Sequence, residues 1–151
     1  MSSVFDVQKT IREVLLKILD SHSLEQLNKI PDGFTNNIIW NIGHCVSSQQ
    51  LLVYKLSGLP TMVSEEFINK YRKGTKPEGD VSQAEVDEIR ILLSTTLEKT
   101  KNDFESGLFV DYHEYTTSMG FTLRHIQGAL DFNNYHEGLH TGVAMALRKL
   151  V

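Results

Sequence analysis

The stretch "NNYHEGLHTG", Asn133 to Gly142, holds His136-Glu137-Gly138-Leu139-His140 and can be read in two ways. As H-E-x-x-H it is the motif with which helical zinc proteases hold their metal and place a general base. As two histidines one helical turn apart in a longer periodic segment, it is a metal-binding face inside a helical bundle. The extended protease pattern asks for a third histidine at position 146, where the chain has Ala146, and no glutamate follows His140. A third ligand therefore has to come from upstream, and the fold of the upstream chain decides the reading.

That chain reads as helices throughout. Val4, Val7, Ile11, Val14, Leu15, Ile18 and Leu19 recur at steps of three and four, with Ser3 placed as an N-cap. After the turn residues Pro31, Asp32 and Gly33, the segment "NNIIWNIGHCVSSQQLLVYKLSG" is long and periodic and ends at Gly58 and Pro60. Ser82 and Glu85 form a capping-box pattern ahead of Val86, Ile89, Leu92, Leu93, Leu97 and Phe104, which predicts a helix over about 82–106. A last periodic stretch spans about 126–150 and includes Leu130, Tyr135, Leu139, Val143 and Leu147, with Gly138 and Gly142 weakening it. The expected fold is all-α, an up-down four-helix bundle with long connecting loops, in one domain over residues 1–151.

The connections carry less structure. "LFVDYHEYTTSMG" is β-prone but has no obvious partner strand and reads as an extended link. The loop "GLPTMVSEEFINKYRKGTKPEGDVS" predicts a short helix around Ser64 to Tyr71, and its cations Lys70, Arg72, Lys73 and Lys76 read as a solvated face with no site role. No βαβ alternation, Gly-rich phosphate loop or internal repeat is present.

Composition narrows the function classes. At 151 residues with 40% apolar content the chain can bury a core without disulfides, and Cys45 is its single cysteine. A net charge of -4 argues against nucleic acid and anionic membrane as partners. The charged N-terminal stretch lacks a signal-peptide core, and no apolar run reaches the roughly 18 residues of a membrane span, so a cytoplasmic protein is expected.

On the last helix His136 and His140 point the same way as Leu139, Val143 and Leu147, toward the bundle interior. Side chains at i and i+4 lie about 5–6 Å apart, close enough to converge on one ion at about 2.0–2.1 Å. Two buried imidazoles without a metal would need two separate polar partners. Of the upstream candidates His22, His44, His113 and His125, His44 stands mid-helix one turn after Trp40 and is the best third ligand; His22 and His113 default to solvent and His125 to a surface or capping role. The segment around Trp40 and His44 makes helix two apolar on two faces, which suggests a metal pocket or a second subunit on one of them. Cys45, rotated about 100° from His44, reads as a core residue. Asn133, one turn before His136, either lines the pocket or bonds its own backbone. Glu137 is expected near the edge of the stripe, flanking the pocket mouth or meeting solvent.

Trp40-Asn41-Ile42-Gly43-His44 on the second helix together with His136-x-x-x-His140-x-Gly142 on the last resembles the DinB-like (DinB/YfiT) superfamily, and the resemblance covers almost the whole chain. It implies a bundle, often dimeric, that holds a divalent metal (zinc, nickel, iron or manganese) through three histidines, here His44, His136 and His140. It further implies, as one reading, a metal-dependent transferase joining a low-molecular-weight thiol to a small electrophile. A metal-dependent hydrolase and a non-catalytic binding module are the alternatives. Many members carry glutamine where this chain has Val143. Peptidase activity is not expected, because a bundle has no sheet edge to hold an extended peptide.

Overall fold

The computed structural model describes residues 4–151, so the expected cap at Ser3 lies outside the described residues. Four long helices form the body: α1 (Val4–Asp20), α3 (Ile38–Gln49), α5 (Gln83–Glu105) and α6 (Ile126–Leu147), joined by short helices α2 (Leu24–Asn28) and α4 (Glu65–Tyr71). α6 packs on α1 and α3, and α5 packs on the same two from the other side, which closes a four-helix bundle. The short α2 was not anticipated; its signal is the capping box of Ser23 and Gln26, whose side chains bond each other's backbone N–H groups.

Helix α3 continues past Gln49 as a π-helical segment Gln50–Tyr54 and a 3-10 turn Lys55–Ser57, and Gly58 ends it at φ +71. The expected stop at Gly58 holds because a left-handed residue there is nearly cost-free for glycine. The wider turn coincides with two buried glutamines. Gln49 Nε2 donates to Thr100 Oγ1 at 2.9 Å, and Gln50 Oε1 accepts from the Met62 backbone N–H at 2.8 Å. These bonds tie α3 to α5 and to the loop after it, at a helix irregularity of the kind that gathers near functional sites.

Every residue of α3 from Ile38 to Gln49 is buried. Its second apolar face is covered within the chain by α4, through Phe67, Ile68 and Tyr71, so that face by itself no longer calls for a second subunit. The predicted cap at Ser82 forms, accepting from the Glu85 N–H, but the capping box is half-made. The Glu85 carboxylate turns instead to the Tyr71 hydroxyl (2.5 Å) and Lys70 Nζ, pinning α4 to the start of α5.

Three expectations need correction. The segment after α5 is not unpaired: β1 (Tyr115–Thr116) runs antiparallel to β2 (Thr122–Leu123) across a turn containing Gly120 at φ +81. Strands of two residues leave too little alternation to be seen in a sequence. On α1 the buried face is Phe5, Gln8, Arg12, Leu15, Ile18 and Leu19, while Val7 is exposed. On α6 it is Ala129, Leu130, Asn133, Glu137, Thr141, Ala144 and Leu147, while Tyr135 and Leu139 are exposed. Both true stripes are rotated from the apolar ones because polar residues occupy their centres.

Those polar residues form one network. Arg12 is 1% exposed and Glu137 0%. Arg12 Nη2 donates to Glu137 Oε1 at 2.8 Å and Nε to Oε2 at 3.1 Å, a bidentate pair. Gln8 Nε2 and Asn133 Nδ2 add donors to Oε1 at 3.0 and 2.8 Å. Arg12 Nη1 completes the set on α5, donating to Thr96 Oγ1 and the Leu93 carbonyl. Glu137 is thus neither at a pocket mouth nor in solvent, and Asn133 neither lines a pocket nor bonds its own backbone. Among the described residues no helix is long and apolar enough to cross a membrane.

Arg12→Leu should destabilise the protein by about 3–5 kcal/mol, because it leaves a buried carboxylate without its charge partner. Denaturant unfolding measures it. A loss below about 1 kcal/mol would mean that the pair does not hold the bundle as described.

Candidate metal centre

Three side chains from two helices meet in the wall of a cavity of about 1150 Å³. His44 comes from the middle of α3 and His136 and His140 from successive turns of α6, and one ligand atom from each lies within 4.8 Å of the others. The His44 and His136 Nε2 atoms are 3.3 Å apart. Two nitrogens bound at about 2.0–2.1 Å to one tetrahedral ion are separated by about 3.4 Å, so this spacing is what a shared cation requires.

Each imidazole is set by neighbours. His44 Nδ1 donates to the Tyr71 backbone carbonyl at 2.6 Å, and His140 Nδ1 donates to Asn41 Oδ1 at 2.8 Å. Those bonds place the proton on Nδ1 and leave the Nε2 lone pair for a ligand, as in metal-binding histidines generally. Asn41 is itself held, its Nδ2 donating to Asn36 Oδ1 and the Asn37 carbonyl. Trp40 stacks on the His44 ring, centroids 4.8 Å apart and planes 10° from parallel. The Ser48 hydroxyl lies 3.3 Å from His44 Nε2. His136 Nδ1 is buried without a hydrogen-bond partner among the described residues.

The electrostatics favour neutral rings. Burial lowers the pKa of all three; His136 falls to about 4, with His44 adding to the effect, and His140 to about 3, lowered further by both other histidines and opposed by Glu137. The Tyr71 carbonyl partly offsets burial at His44. Three neutral nitrogen donors with converging lone pairs fit a divalent cation of the borderline kind.

The bond from His44 to Tyr71 depends on a glycine. A Cβ on Gly43 would meet the Tyr71 ring at 2.6–2.9 Å, so only glycine lets α4 approach α3 closely enough for that carbonyl to reach His44. Burial and the Glu85 carboxylate push the Tyr71 phenol well above its ordinary pKa, so it stays a neutral donor.

The sequence-based candidates separate cleanly here. His44, His136 and His140 come together as expected, although His136 and His140 flank the core stripe instead of sitting in it. His125 caps α6, its Nδ1 accepting from the Gly128 N–H, His22 Nδ1 bonds the Ile18 carbonyl, and His113 is exposed. Cys45 is a core residue, its thiol pushed up by burial and then by Glu137, and Glu137 faces away from the cavity. Asn41, Ser48 and the Tyr71 carbonyl were missed. Asn41 and Gly43 both stand in the Trp40–His44 segment, and the mid-helix glycine was the available signal; a backbone carbonyl leaves none.

Comparison with known proteins bears on the family and the fold. A sequence model of the DinB superfamily matches residues 9–144. The fold is similar to the crystal structure of a conserved protein from Enterococcus faecalis, with a TM-score of 0.68 at 15% identity, covering 98% of this chain and 94% of that one. No curated protein matches the chain.

Two outcomes follow from the site's packing. Gly43→Ala should cost about 1–3 kcal/mol, the range for overpacking, in thermal or denaturant unfolding; an unchanged stability would show that Tyr71 can move aside. In chelator-treated protein, His136 and His140 hold pKa values below the ordinary 6.5, so the unfolded chain takes up protons first. Their contribution is fully present above about pH 6.5 and is lost as pH falls toward 4 and 3. Unfolding midpoints should therefore drop from pH 7 to pH 5, and a midpoint constant over that interval would contradict the buried neutral pair.

Proposed function

We propose that this chain, which belongs to the DinB superfamily, holds one divalent metal ion through His44, His136 and His140 and uses it to transfer a small thiol to a small electrophile. The observation that carries the reading is a converging histidine triad in a roomy cavity, with no carboxylate among the described residues hydrogen-bonded to any of the three rings. A divalent ion on three neutral imidazoles keeps coordination positions open and lowers the pKa of a thiol or water that binds there. Attack by water still calls for a proton acceptor, and the carboxylate nearest in sequence, Glu137, is saturated by Arg12, Gln8 and Asn133 in the core. A thiol, more acidic than water from the start, makes no such demand.

The chain's own residues supply binding and orientation. Tyr71 and Asn41 fix the tautomers of His44 and His140, and Trp40 holds the His44 ring flat. Leu51, Phe132 and Leu139 on the cavity wall limit water around a bound substrate. The Ser48 hydroxyl is the neutral polar group best placed to donate to a substrate atom beside His44.

Metal analysis of the purified protein should give about one divalent ion per chain, falling close to zero in His44→Ala and in His136→Ala. Full retention in either variant removes that residue from the ligand set. With cobalt(II) in the site, adding a low-molecular-weight thiol should produce a sulfur-to-metal charge-transfer band. A spectrum unmoved by thiol at millimolar concentration would remove the transferase chemistry while leaving the metal site standing.

A further inference from the structure

The cavity has a third chemical zone besides the histidines and the apolar wall. Lys55, from the 3-10 turn ending α3, and Arg72 and Lys73, directly after α4, line it and are exposed. Glu65 is the one carboxylate on the same wall, so the rim carries a net positive charge of two, 3 - 1, on a chain whose net charge is -4. Among the described residues none of the three cations forms an ion pair, whereas the neighbouring Lys70 is paired with Glu85.

The turn carrying Arg72 and Lys73 is anchored to the metal centre. Thr75 Oγ1 donates to the Arg72 and Lys70 carbonyls at 2.8 Å and accepts from Trp40 Nε1 at 3.3 Å, and Trp40 stacks on His44. The turn carrying Arg72 and Lys73 is therefore tied to the histidines through its backbone, with Leu51, Leu56, Phe132 and Leu139 supplying apolar wall in the same cavity.

We infer that the substrate of this cavity is an amphiphilic anion: an apolar body seated on the leucine and phenylalanine wall, with an anionic oxygen group held by Arg72, Lys73 and Lys55 on the cationic rim. This rests on the proposed metal-dependent reading of the site and names the substrate class it lacks. Arg72 provides the planar donor set that carboxylate and phosphate both match, and the two lysines add charge without directional demand.

The test uses the protein as purified and three probes with one ten-carbon body, each below its micelle-forming concentration: decanoate, decyl phosphate and decanol. Calorimetric titration should show one or both anions binding about tenfold tighter than decanol, the worth of about one hydrogen bond to a charged group. The anion that gains more identifies the carboxylate or the phosphate as the matched group. In Arg72→Glu/Lys73→Glu, whose side chains are exposed and form no ion pair among the described residues, the preference should shrink to about twofold or less with decanol affinity unchanged. Equal affinity of all three probes for the wild-type protein overturns the inference. So does an anion preference that survives in the double variant, because the anion would then sit on the metal. Neither result bears on the metal content of the histidine variants, so failure of this inference is distinguishable from failure of the metal site itself.

Discussion

Glu137 is a carboxyl group wholly out of water, and the structure around it is arranged to pair it with Arg12 and satisfy its oxygens. Removing a carboxylate ion from water costs several kcal/mol, a cost offset only by close, well-aligned donors. Arg12 and Gln8 from α1 and Asn133 from α6 provide them, and Arg12 reaches on to Thr96 of α5. Three of the four long helices are thereby fixed against one another about one side chain. The same contact fixes the rotation of α6. At about 100° per residue, His136 is turned about 100° from Glu137, and His140 about 60° in the same direction. With Glu137 held in the core, both imidazoles must leave the helix on the side where α3 presents His44. The glutamate of the apparent H-E-x-x-H motif thus acts on the site as an anchor of its helix.

The other half of the site is set by a second constraint, the contact of α4 with α3. Gly43 admits the Tyr71 ring, Glu85 holds its hydroxyl, and the Tyr71 carbonyl then orients His44. Helices α3, α4 and α6 all contribute to the cavity wall, and Trp40, which stacks on His44, also bonds Thr75 of the turn after α4.

Most of the fold was legible because four helices of bundle length leave a strong apolar period, and Gly58, Ser82 and Gly107 mark ends that the structure keeps. The rotation of those helices was not legible. An apolar count assigns Val7 and Leu139 to the interior, and the interior instead holds Gln8, Arg12, Asn133 and Glu137. Each is unfavourable there alone; they become favourable as a set, and Arg12 and Glu137 are 125 positions apart. At the site, the three histidines were legible from the helical pair and from Trp40 one turn before His44. Their orienting partners were not, because Tyr71 acts through its backbone and Asn41 through an amide that sequence alone cannot aim. Arg72 and Lys73 are exposed, as a solvated run should be, but that they also line the cavity was not legible, because the path of their loop back to Trp40 depends on Thr75, which has no signature of its own.

A core ion pair turns two histidines of α6 onto one of α3, which brings the three close enough together to bind a single cation. X-ray absorption at the edge of the metal in the purified, thiol-free protein tests this most directly. It should show three imidazole nitrogens at about 2.0–2.1 Å for zinc, with oxygen completing the shell and no sulfur. A sulfur ligand, or two imidazoles or fewer, would contradict it, since Cys45 is sealed in the core and ligand atoms of His44, His136 and His140 already lie within 4.8 Å of one another.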